Sequence, residues 1–200
     1  MQTEVSAGVY SDVGVQPTAI GNFEEETFLS NYVNAYNGPK ADAMGLDIHH
    51  PLPGYNITYG YRSQQYLDEL GTIHRGVDLP TNRVTGIAVR AVISGTIENK
   101  ENYATYGKYV VITDYENHKF VYAHLADWHI EPDQVPFVLA GKDIGECGTT
   151  GPSSAIHLHY EVNFGGVPVD PNPFLPDGIT TKYGTRCSDS LSWNYGRNKD

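Results

Sequence analysis

Two short stretches hold the residue types that can do chemistry. Thr72-Ile73-His74-Arg75-Gly76-Val77-Asp78-Leu79 sets an imidazole and a carboxylate four positions apart beside a glycine. Ala155-Ile156-His157-Leu158-His159-Tyr160-Glu161 sets two imidazoles on alternate positions of an apolar segment. Side chains alternate faces along a strand, so His157 and His159 project from one face with Leu158 opposite. Two imidazoles on one face are costly to bury unpaired. A metal, or a polar cleft over that face, removes the conflict. Catalytic zinc takes three protein ligands and leaves the fourth position to water. His74, Asp78 and one or both of His157 and His159 supply the ligand types for such a site. The spacing of His74 and Asp78 is weak evidence by itself. Gly76 argues against a helix there, so a bulged or turning strand has to bring the two side chains together.

Those groups need a frame, and the chain between 51 and 175 reads as one. It alternates short strand-like runs with Gly-marked turns. The runs lie at 56–62, 87–92, 95–99, 108–114, 119–125, 142–147 and 158–164, and 167–173 closes the core. The pair 108–114 and 119–125, joined across 115–118, reads as a β-hairpin. Residues 63–71 form a polar excursion, and 126–140 is irregular and contains proline. No long helical pattern separates the strands, so the reading is a mainly β fold with an antiparallel sheet rather than βαβ units. Ahead of this body, 1–50 reads as an arm or linker. Asn22-Phe23-Glu24-Glu25 has the form of a capping box, and Phe23, Phe28, Tyr32, Val33 and Tyr36 make the apolar stripe of a short helix that Gly38-Pro39 ends. Residues 176–200 read as a C-terminal tail.

Composition narrows the partners. Lys and Arg number 13 against 24 Asp and Glu, a net charge of −11 with His neutral. That balance argues against a nucleic-acid ligand, because binding phosphates takes clustered positive charge. No run reaches the roughly 18 apolar residues of a membrane span. With 40% hydrophobic and 12% aromatic residues the chain can bury a core. Cys147 and Cys187 make no disulfide framework and no CxxC pair; one bridge between them would tie the tail to the body. Met1-Gln2-Thr3-Glu4-Val5 has neither a basic n-region nor an apolar h-region, so no signal peptide is visible.

Four motifs occur in order: His74-x-x-x-Asp78, Tyr122-Ala123-His124-Leu125, Gly148-Thr149-Thr150-Gly151, and His157-Leu158-His159-Tyr160-Glu161. Gly60-Tyr61-Arg62, Gly95, 106–112, 141–145 and Val169-Asp170-Pro171 accompany them. Over 51–175 the set resembles the lysostaphin-type (LytM-like) zinc metalloendopeptidases. The resemblance implies an antiparallel core of the LytM/lysostaphin type, like a duplicated hybrid motif. It implies that His74, Asp78 and His159 hold Zn²⁺, and that His124 and His157 are the unligated catalytic histidines. It implies hydrolysis of stem or cross-bridge peptides in bacterial cell-wall peptidoglycan. Two departures stand out. Residues 151–156 read Gly-Pro-Ser-Ser-Ala-Ile where relatives commonly carry a Ser-Thr-Gly-Pro run, and Thr113-Asp114 replaces a His often found after the central strand. Neither touches a ligand; the first bears on the floor of the substrate groove.

The remaining candidates read as ordinary. His49 and His50 are surface loop residues, and His118 and His129 sit in a turn and a loop. Arg62 pairs with a carboxylate or orients substrate. Glu161 is taken to face away from His159 and to support a ligand from behind or serve structurally, rather than to be a ligand itself. The missing leader and the extra N-terminal segment point to a phage lysin or a virion-associated part, released at lysis or carried with other domains or virion proteins. The competing reading is a non-catalytic wall-binding or virion structural module on the same fold.

Overall fold

Alternating burial along the chain resolves into strands in the computed structural model, which describes residues 48–175. They are β1 (Val77–Pro80), β2 (Ala88–Arg90), β3 (Gly95–Asn102), β4 (Gly107–Thr113), β5 (Lys119–Trp128), β6 (Phe137–Val138), β7 (Asp143–Cys147), β8 (His157–Phe164) and β9 (Val167–Val169). They form one sheet in the order β1-β8-β5-β4-β3-β6, with β9 on β8 and the β2–β7 pair attached through β5. Every pairing is antiparallel. The expected hairpin is β4–β5. At its turn Asp114 Oδ1 accepts from the backbone N–H of Glu116 and His118 at 2.9 and 2.8 Å. Among the described residues no helix is long and apolar enough to cross a membrane.

β5 is the pivot. Its first half lies between β4 and β8, with Ala123 opposite His159. Its second half leaves β8 and pairs with β7, Leu125 opposite Cys147. The change of partner falls at His124, whose φ is 62°. Left-handed backbone at a non-glycine residue costs about 1–3 kcal/mol and is kept where the surroundings enforce it. Here the His124 N–H donates to Tyr106 O at 2.9 Å, and the register shifts between Leu125 and Asp127. The bulge turns the His124 side chain away from the direction that strict alternation dictates.

The sheet buries different things on its two faces. Tyr122, Tyr160, Phe120, Leu158, Val77 and Leu79 belong to the main core, joined by Val92, Ile93, Ile112, Ile144 and Phe174. Each fully buried Leu or Ile is worth about 1.5–3 kcal/mol. The polar end of Tyr122 is satisfied inside this core, where its hydroxyl accepts from the Val92 N–H at 2.8 Å. The opposite face carries only a small cluster, Val111, Val121 and Ala123 under Tyr106 and Tyr109.

Two local readings change. The run 56–62 is not a continuous strand. Ile57 and Tyr59 make only isolated bridges, Tyr59 to Asp78, and the chain then turns through Arg62 at φ 51°. The polar excursion contains a helix, α1 (Gln64–Leu70). Ser63 caps it by accepting from the Tyr66 N–H at 3.2 Å, and Gly71 at φ 71° closes it with a bond to Leu67 O. None of its residues is buried, so it has no apolar stripe to read. The Ser before and the Gly after were the legible signals. The helix read at 22–36, the rest of 1–47, and the tail 176–200 with Cys187 lie outside the described residues.

Candidate metal centre

His74 precedes β1 and Asp78 lies inside it. The strand is held from one side by Thr58 N–H to Asp78 O at 2.8 Å and Asp78 N–H to Tyr59 O at 2.9 Å. On the other side it pairs with β8, which puts Asp78 opposite His159. Gly76 makes the approach to β8 possible. A Cβ there would lie 2.3 Å from Tyr160 O and 3.0 Å from the His159 ring. His74 is fixed by two contacts. Its Nδ1–H donates to Gly60 O at 2.8 Å, and its ring stacks on Tyr66 of α1 with centroids 4.1 Å apart. The Nδ1 bond leaves the Nε2 lone pair free.

Three polar atoms then converge. His74 Nε2 is 3.2 Å from Asp78 Oδ1 and 3.2 Å from His159 Nδ1, and His159 Nδ1 is 2.9 Å from Asp78 Oδ1. All three residues are buried. This is the one His/Asp cluster among the described residues that could hold a metal ion. The donor set suits zinc: two imidazole nitrogens and a carboxylate oxygen, with separations close to the ~3.3 Å edge of a tetrahedron built on ~2.0 Å bonds. Burial acts to raise the Asp78 carboxyl, but its close pairing with His159 and then His74 outweighs it and holds Asp78 ionised, well below the usual carboxylate range.

His124 and His157 stand beside this cluster with ring centroids 4.8 Å apart. Each has Nδ1 committed to a backbone carbonyl, His124 to Thr150 O at 2.8 Å and His157 to Ala155 O at 2.9 Å. A carbonyl only accepts, so both rings donate from Nδ1, and the neutral ring then carries its lone pair on Nε2. His157 Nε2 is 3.6 Å from Asp78 Oδ1. Burial, and then the neighbouring His157, push His124 down to about 4. At neutral pH it is an uncharged acceptor. Ser153 Oγ is 3.2 Å from His157 Nδ1, so the 151–156 loop does reach the site.

Glu161 corrects an expectation. It does not face away from His159: residues two apart on a strand share a face, and Glu161 Oε2 lies 3.5 Å from His159 Nε2. Other residues stay apart from the cluster. His118 Nδ1 is 3.0 Å from Asp114 Oδ2 at the hairpin turn, and His50 Nδ1 accepts from the Leu52 N–H at 3.0 Å. The His129 N–H bonds Ile144 O, and the exposed Arg62 holds its guanidinium 5.1 Å from the Tyr61 ring. Tyr66, Tyr106, Thr150 and Ser153 also support the site; the last three lie within stretches noted in the sequence, but none was given a role there. For Thr150 and Ser153 the sign was there, because the turn-rich 148–153 loop abuts the His157 strand. Nothing in the polar excursion flagged Tyr66.

Comparison with known proteins matches residues 72–171, half the chain, to Peptidase family M23. The DD-carboxypeptidase/endopeptidase Mpg of Neisseria meningitidis serogroup B is 34% identical over 113 residues, which is 56% of this chain and 25% of that protein. Lysostaphin of Staphylococcus staphylolyticus is 34% identical over 155 residues, 74% of this chain and 31% of that protein. The catalytic domain of the antimicrobial peptidase lysostaphin from Staphylococcus simulans superposes with a TM-score of 0.52 at 32% identity, covering 60% of this chain and 91% of that domain. The chain thus spans only about a quarter to a third of the length of the curated relatives it matches.

Proposed function

The chain belongs to peptidase family M23, and from that premise we propose that it is a zinc-dependent endopeptidase that cleaves peptides of bacterial cell-wall peptidoglycan. The observation that carries the reading is the convergence of His74 Nε2, Asp78 Oδ1 and His159 Nδ1, with two further imidazoles beside them, each held at Nδ1 by a backbone carbonyl. The peptidoglycan substrate is supported by the likeness to lysostaphin and to Mpg.

In this reading His74, Asp78 and His159 hold Zn²⁺, which when bound would lower the pKa of a water and polarise the scissile carbonyl. The chain's own groups do the rest. The base's part falls to His157, whose Nε2 lies 3.6 Å from Asp78 Oδ1, since burial weakens His124 as a base. It takes the proton of the attacking water and returns it to the leaving amine. His124, uncharged, accepts a hydrogen bond that orients the water or the departing N–H. The carbonyls of Thr150 and Ala155 keep both rings in the tautomer this needs.

The test pairs metal analysis with digestion. The protein is incubated with purified peptidoglycans of defined cross-link, and the released fragments are weighed by mass spectrometry. New amine and carboxyl ends that vanish on chelation and return with zinc are the expected result. Intact walls with full zinc occupancy would point instead to a non-catalytic wall-binding module.

A further inference from the structure

Glu161 is fully buried, a place carboxylates occupy only when paired. Its Oε2 accepts from the Tyr106 hydroxyl at 2.9 Å, and its Oε1 accepts from Asn163 Nδ2 at 2.8 Å and Arg75 Nη2 at 3.4 Å. Oε2 also lies 3.5 Å from His159 Nε2, on the far side of the ring from Asp78, whose Oδ1 is 2.9 Å from Nδ1. The His159 ring is therefore bracketed, one carboxylate to each nitrogen. An imidazole that binds a metal through one nitrogen carries its proton on the other, and an acceptor there sets both tautomer and ring orientation.

We propose that Glu161 is a positioning residue for the metal centre: it holds the proton of His159 on Nε2, so that Nδ1 is presented with its lone pair toward His74 and Asp78. Tyr106 and Asn163 fix the carboxylate. Arg75 sits within the same segment as His74 and Asp78, so its contact with Glu161 also ties that segment to β8. Strand geometry supplies the rest, since Glu161 two residues after His159 shares its face. The inference rests on the zinc reading above.

The experiment measures zinc affinity of the metal-free full chain by competition with a chromophoric chelator. Glu161→Ala is expected to weaken binding about 10–100-fold. Glu161→Gln, which keeps an acceptor oxygen but sets an amide against donors, should fall between that and wild type. Circular dichroism of the metal-free proteins checks folding. Long-range proton–nitrogen correlation spectra of the zinc-loaded wild type give a readout independent of the variants. His159 should show Nε2 protonated and Nδ1 metal-bound. Wild-type affinity in a folded Glu161→Ala protein, or Nε2 bound to zinc in wild type, overturns the assignment while leaving the zinc reading intact. A wild type that binds no zinc removes both.

Discussion

At the scale of single residues, the proposed function divides the site into groups that would hold the metal and groups that would move protons. His74→Ala, Asp78→Ala and His159→Ala should each lose both metal and turnover. His124→Ala and His157→Ala should keep the metal and lose about 10²–10⁴-fold in turnover, the usual worth of an acid–base group. Metal analysis of the purified proteins separates the two classes, and full zinc in Asp78→Ala would remove the ligand assignment. Acidity adds a second check. In the metal-free chain burial works against the charge on His159, but hydrogen bonds to Asp78 and Glu161 win and push it up to about 9 from 6.5. A raised histidine binds its proton more tightly folded than unfolded. Its stabilisation is complete below about 6.5 and is lost as pH rises through about 9. The thermal midpoint of the metal-free protein should therefore decline across that window, and zinc, which displaces the proton, should flatten the decline. Identical slopes with and without zinc would contradict a ligand role for His159. The period-two spacing of His157 and His159 was readable in the sequence. The same rule applied to Glu161 gives the shared face that the structure has, and the expectation that it points away did not follow that rule.

At the scale of elements, the bulge at His124 matters most. The β4–β5 hairpin was legible because its two runs are apolar and flank a polar turn. The bulge was not, since 119–125 reads as an unbroken strand. Two residues opposing one becomes visible only when β5 exchanges β8 for β7, and that exchange is a tertiary event. Helix α1 was hidden for the opposite reason, having caps but no buried face. The bulge is clamped by a second loop. Thr150 Oγ1 donates to Leu125 O at 2.7 Å and accepts from the Lys108 N–H at 2.9 Å, while its carbonyl holds His124. Gly107, at φ 64°, lets the two loops touch, because a Cβ there would lie 2.3 Å from the Thr150 carbonyl. Gly107→Ala should cost about 1–3 kcal/mol of stability, the usual penalty for overpacking. Because Thr150 carries His124 and no ligand, turnover should fall while zinc affinity holds. Urea unfolding and chelator titration on one preparation test both halves, and a variant that loses zinc in step with activity would show the loop to be part of the ligand scaffold.

At the scale of the molecule, the first described residues are anchored into the core. Ile48 packs against the core, the His49 N–H bonds Val92 O at 2.9 Å, and Leu52 is wholly buried. A fragment spanning 48–175 is expected to fold and to bind one zinc, and one beginning at 56 to melt at a lower temperature because it discards Leu52 and the Val92 bond. Calorimetry of the two fragments, with metal content, decides this; equal midpoints would show that 48–55 is dispensable. The larger division lies between the faces of the sheet. One face carries the tyrosine- and aliphatic-rich core; the other carries His74, Asp78 and His159, the imidazoles of His124 and His157 and, among the described residues, a small apolar cluster of Val111, Val121 and Ala123. Stability and reactivity are thus written into alternate positions of the same strands. Substitutions on the reactive face, and exchanges within 102–106 and 149–155 that spare Gly107 and the core-packed Ile156, are expected to leave the opposite face's packing in place. A descendant of this sheet is therefore expected to alter what its rim grips while keeping the core that holds it folded.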